Sequence, residues 1–151
     1  MSSEWEQVLK GVISEILETM FFAVVEFDQI ESERNSFEYG SEVELVSSKE
    51  RILISLEVSK EFARMTTADF LGIGQDEVRE DDIEDCMKEL ANMVGGGYFA
   101  RSNNTEWRLG IPSARKIDTG AAVMPARPAG GLDFSFSGQP AGLARLVHLP
   151  V

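Results

Sequence analysis

The stretch KELANMVGGG, Lys88 to Gly97, decides how this chain is read. Around it, Ile83, Met87, Leu90, Ala91, Val94 and Tyr98 recur at the three- and four-residue spacing of one helix face. That spacing predicts a long helix from about Asp81 to about Arg101, stopped by SNNT. Yet the helix carries Asn92 in its middle and then three consecutive glycines, each costing about 1 kcal/mol relative to alanine. Residues that weaken a helix and still sit inside it point to a demand from outside the helix.

On a wheel of about 100° per residue the apolar set gathers on one side. Asp85, Glu89, Asn92 and Gly96 gather on the other, within about 60°. Glu89 and Asn92 are three apart and therefore neighbours. A carboxylate and a carboxamide are thus expected together on an outward helix face. Gly95 and Gly96 are expected beside them as a bare patch that another backbone can approach. Two plainer readings stand alongside: the pair is a solvated face, and the glycines mark a helix break or a close crossing over the first helix.

Working outward, residues 4 to about 26 read as a first helix with the apolar stripe Val8, Leu9, Val12, Ile13, Ile16, Leu17, Met20 and Phe21. Its tail FFAVVEF is more strand-like, which leaves the end open. Residues 36–47 and Arg51 to Val58 alternate apolar and polar about the turn SSKE, a hairpin. Ser59 is placed to cap a helix over KEFARMTTADFLG, with Gly72 near its end. After the long helix, Glu106 to Pro112, Leu132 to Ser137 and Leu143 to Leu149 read as strands, with GQPAG as a turn. Residues 120–131, rich in Gly, Pro and Ala, read as an irregular loop. The order predicts an α+β fold, one domain over residues 1–151, with helices on one face of a mainly antiparallel sheet and the long helix antiparallel to the first.

Composition narrows the function classes. The chain has 151 residues and a formal charge of −12. Residues 101–151 hold six basic and three acidic residues, a net of +3, so residues 1–100 carry −15. Such charge disfavours nucleic acid and anionic membrane. One cysteine, Cys86, allows no internal disulfide and suits a reducing compartment. MSSEWEQVLK lacks a basic-then-apolar leader, and the longest apolar run, MFFAVV, is too short to span a membrane. The expected location is the cytoplasm.

The segment DCMKELANMVGGG resembles the signature of the CheC/CheX/FliY family of bacterial chemotaxis phosphatases, most of all its CheX branch. In that signature an acid or serine is followed by Glu four residues later, Asn three after that, and Asn or Gly three further on. Here these positions are Asp85, Glu89, Asn92 and Gly95. The first helix ending ETMFF, the alternating hairpin, the helix opening at SKEFA and the strand-like LGIP fit the same pattern.

The resemblance implies a phosphatase that hydrolyses the aspartyl phosphate of a CheY-like response regulator. In that role Asn92 positions the attacking water and Glu89 pairs with the regulator's active-site lysine. Asp85, Gly95 and Gly96 contact the partner. The resemblance implies no cofactor and no metal of the chain's own, Mg2+ being supplied by the bound regulator, and it implies a homodimer. Branches with two sites carry a second copy of the motif on the first helix. Here Ser14 and Glu18 fit that copy, but Phe21 stands where Asn is required, so one site per chain is expected, with Phe21 and Phe22 in the core. The alternative is a non-catalytic CheX-like module that docks a regulator or flagellar-switch component. The remaining reactive residues read as structural: Cys86 as packed, His148 as a surface or core residue, Trp5 and Trp107 as packing residues. No Gly-rich phosphate loop is present, since GGG is not followed by Lys-Ser or Lys-Thr.

Overall fold

A computed structural model describes residues 4–27, 37–102, 106–117 and 131–150. Three α-helices pack with a six-stranded, mainly antiparallel sheet. The helices are α1 (Glu4–Phe21), α2 (Lys60–Leu71) and α3 (Glu80–Arg101). The strands are β1 (Phe37–Val46), β2 (Arg51–Ser59), β3 (Arg108–Leu109), β4 (Ser113–Lys116), β5 (Gly131–Phe136) and β6 (Gln139–Leu149). The strand order is β3-β1-β2-β6-β5, with β4 pairing β1 on the same edge as β3. No helix among the described residues is long and apolar enough to cross a membrane.

The expected alternation sets the sheet's two faces. Val43, Leu45, Ile52, Ile54, Leu56 and Val58 are almost fully buried against the helices, and register pairs Val43 with Ile54 and Leu45 with Ile52. From the helices come Leu9, Val12, Ile13 and Leu17 of α1 and Ile83, Met87, Leu90 and Val94 of α3. The start of α1 and the end of α3 share a cleft lined by Trp5, Val8, Tyr98 and Arg101, so the two helices run in opposite senses. The Ser59 hydroxyl caps α2 by accepting from the Phe62 backbone N–H at 3.1 Å, and Gly72 closes it in the left-handed region at φ 70°. At the start of α3 the Asp82 carboxylate accepts the Arg79 backbone N–H at 3.0 Å.

Four sequence expectations are corrected. Helix α1 ends at Phe21 rather than near residue 26. Phe22 turns left-handed at φ 57°, and the Ala23 N–H returns to the Leu17 carbonyl at 2.8 Å. The chain then runs extended and pairs Glu26 with Ser135. This turn throws Phe22 outward, so it is 70% exposed and not in the core, whereas Phe21 is fully buried and stacks on Phe70 at 4.9 Å. The strand expected over Glu106 to Pro112 is instead split into β3 and β4. Leu45 pairs with Leu109 but Glu42 with Ser113, so one extra residue bulges between them, where Pro112 has no N–H for a ladder. The turn expected at GQPAG lies earlier, at Ser137–Gly138, both left-handed at φ 51° and 78°, and Gln139 already begins β6. The loop predicted over residues 120–131 falls outside the described residues except for Gly131, the first residue of β5.

Candidate functional site

Helix α3 runs unbroken through the asparagine and the three glycines, so the glycines do not mark a break. Ile83, Cys86, Met87, Leu90, Ala91, Val94 and Gly95 form its buried face. Asp85 and Glu89 are exposed and Asn92 is partly exposed on the opposite side. Among the described residues none hydrogen-bonds or ion-pairs the side chains of Glu89 or Asn92. A carboxylate and a carboxamide therefore stand next to each other on a packed helix, with their polar atoms available to a partner.

The three glycines meet three different surroundings. A Cβ at Gly95 would lie 2.7 Å from Val43 Cγ1 and 2.8 Å from Leu109 Cδ1, so this residue lets α3 settle onto β1 and β3. A Cβ at Gly97 would lie 2.7 Å from Val12 Cγ1, which marks the close crossing over α1. A Cβ at Gly96 would meet nothing within 4 Å. The expected bare patch thus reduces to Gly96, one turn beyond Asn92. Gly95 faces the sheet: its wheel position lies on the border between the two faces, about 40° from Ala91 and about 60° from Asn92, and the packing of α3 on Val43 and Leu109 decides it.

Other reactive groups are turned away from this face. Burial pushes the Cys86 thiol up to about 11, with the Glu89 carboxylate adding to the rise, so the thiol stays protonated near neutrality. His148 lies on β6 with its Nε2 3.9 Å from Glu50. No group of three or more His, Cys, Asp or Glu among the described residues is placed to hold a metal ion.

A linkage that sequence reading missed anchors the start of α3. Lys116 of β4 pairs with Glu80 at 2.9 Å, and the hydroxyl of Tyr39 donates to the same carboxylate at 3.1 Å. These bonds hold the Glu80 carboxyl below its ordinary range, the Lys116 bond being the larger cause. The raised Lys116 ammonium mirrors this, with the Glu80 bond as its main cause. The three residues lie far apart in sequence; the β1–β4 register pairs Tyr39 with Lys116, and the packing of α3 on those two strands brings Glu80 to them.

This architecture is the fold of the CheC, CheX and FliY group of proteins. CheX from Vibrio vulnificus superposes with a TM-score of 0.76 at 16% identity, covering 97% of each chain. CheX from Desulfovibrio desulfuricans gives 0.74 at 16% identity, covering 97% of this chain and all of the other. The CheX–CheY–BeF3–Mg2+ complex from Borrelia burgdorferi gives 0.69 at 12% identity, covering 97% of this chain and 99% of the matched chain. Comparison with curated protein sequences finds no match. The family model described as "Chemotaxis phosphatase CheX" matches residues 42–127, more than half of the chain. The chain belongs to the CheX family.

Proposed function

We propose that this protein accelerates hydrolysis of the aspartyl phosphate on a CheY-like response regulator, with Asn92 orienting the attacking water. The observation that carries this reading is the side-by-side display of Glu89 and Asn92 on the open face of α3 in a CheX-family chain. The Borrelia burgdorferi CheX crystallised with CheY, BeF3 and Mg2+ supports the choice of partner.

The chemistry asks little of this chain. Water attacks phosphorus in line, the P–O bond to the aspartyl carboxylate breaks, and inorganic phosphate and free Asp result. In such transfers positioning and charge neutralisation supply most of the catalysis. In this proposal the regulator contributes Mg2+ and a lysine that neutralise the phosphoryl oxygens. A neutral carboxamide is not repelled by phosphate, and its C=O can accept a hydrogen bond from the water while its NH2 donates one to a neighbouring oxygen. Glu89 pairs with the regulator's lysine, a charge-assisted bond that fixes register more than it adds affinity. Asp85 borders the contact, and Gly96 leaves room for a partner loop. The protein acts in the cytoplasm as a homodimer with one site per chain.

The test charges a chemotaxis-type regulator with a small phosphodonor and follows loss of its phosphate with and without this protein. Faster loss supports catalysis. Unchanged loss despite binding selects the non-catalytic docking module, and absence of binding rejects both. Sedimentation equilibrium tests the dimer.

A further inference from the structure

At the end of the molecule away from the Glu80–Lys116 linkage lies a cleft of about 920 Å³. The start of α1, the end of α3, the β1–β2 turn and the end of β6 enclose it. Its volume falls within the roughly 300–1,000 Å³ of small-molecule sites. It is separate from the Asn92 face, since Tyr98 lines it from the apolar side of α3. The phosphatase reading leaves it without a role.

Its walls are aromatic and acidic together. Trp5, Tyr98 and Trp107 enter from three different segments, and the Trp107 indole N–H is buried without an acceptor among the described residues. Three acids line it: Glu4 from the start of α1, Glu50 from the β1–β2 turn and Glu106 from the segment before β3. Burial raises the Tyr98 phenol above its ordinary value, and the charges of Glu50 and then Glu4 raise it further, so both carboxylates act on one ring. Of the basic groups on the rim, Arg101 is tied to Glu15 in an ion pair, Lys49 is exposed at the turn, and His148 stands with its Nε2 3.9 Å from Glu50. The C-terminal end of α3 also forms a wall, and that is the negative end of its dipole.

We infer that this cleft binds a small organic cation of the quaternary or alkylated ammonium class, held by the faces of Trp5 and Tyr98 and by the carboxylates of Glu4 and Glu50. An anion would meet the carboxylates of Glu4, Glu50 and Glu106. A small inorganic cation would lose a tightly held hydration shell on moving against the rings, and a neutral ligand would forgo the attraction of the carboxylates. Aromatic faces combined with acids favour an alkylated ammonium, whose charge is diffuse and costs little to desolvate.

Both tryptophans of the chain line the cleft, so intrinsic fluorescence reads it directly. Choline is titrated at constant ionic strength against its neutral carbon analogue, 3,3-dimethyl-1-butanol. The expected result is a saturable change with choline whose midpoint is at least about tenfold below that of the alcohol. Phosphatidylcholine vesicles form a second arm. A response to choline alone assigns a free ammonium, and a response to both assigns a lipid headgroup, either supporting an organic cation. A response to vesicles alone, an equal response to the alcohol, or no saturable response to choline overturns the inference. The double variant E4Q/E50Q should bind choline more weakly while melting like the parent. W5L should also weaken binding, with Trp107 remaining as reporter. An unchanged midpoint in both variants would reject the site.

Discussion

Replacing Gly95 and Gly96 one at a time by alanine separates the packing of α3 from its intrinsic helicity. Both substitutions gain the same propensity, about 1 kcal/mol in a helix interior. Gly96→Ala keeps that gain, because the new methyl group enters open space. Gly95→Ala must place it 2.7 Å from Val43 Cγ1 and 2.8 Å from Leu109 Cδ1. Leu109 is 38% exposed and can swing aside. Val43 cannot, since it is 1% exposed, β-branched and held in the middle of the sheet. Overpacking of this kind costs about 1–3 kcal/mol. Gly95→Ala should therefore be neutral to destabilising by about 2 kcal/mol, and the two variants should differ by about 1–3 kcal/mol. For a domain of this length that is a difference in melting temperature of roughly 2–12 °C, Gly96→Ala melting higher. Thermal unfolding followed by circular dichroism measures it. Equal stabilisation by both substitutions would mean that α3 does not rest on β1 at Gly95, and the orientation of Asn92 would fall with it.

Asn92→Ala should abolish acceleration of regulator dephosphorylation, a loss of about 100-fold or more, since misplacement of a reacting group by about 1 Å already costs that much. The same variant should shift stability by no more than about 0.5 kcal/mol, because its partly exposed side chain has no bonded partner among the described residues. Phe21→Asn should not create a second site. It should cost at least about 3 kcal/mol in chemical denaturation, because Phe21 is fully buried against Phe70. Lys116→Met should flatten the acid side of the stability profile. The Glu80 carboxyl is lowered from 4.5 in the folded protein, so the unfolded chain takes up a proton first. That contribution is present above pH about 4.5 and fades as pH falls through the folded value, and without Lys116 the loss should be smaller in Tm measured from pH 6 to pH 3.

The parts legible in the sequence rest on local periodicity and local caps. The alternation in β1 and β2, the Ser59 and Gly72 caps of α2 and the three- and four-residue spacing of α3 each involve neighbours along the chain. The same spacing placed Glu89 and Asn92 on the face opposite Leu90 and Val94, where the structure has them. What misled the reading were turns set by a single dihedral. Phe22 in the left-handed region ends α1 early although the apolar stripe continues, and the Ser137–Gly138 turn shares only the first residue of the GQPAG expected to form it.

Sequence alone determined that α3 turns Asp85, Glu89 and Asn92 away from its apolar face, because a helix wheel is a property of one segment and needs no partner. Only the tertiary structure decided what each glycine is for. GGG is three identical letters, yet Gly95 meets the sheet, Gly97 meets α1 and Gly96 meets open space. Those distinctions depend on where two other elements come to rest against the helix. The linkage of Tyr39, Glu80 and Lys116 is of the same kind, since the pairing of β4 with β1 and the packing of α3 on those two strands create it and no spacing along the chain encodes it.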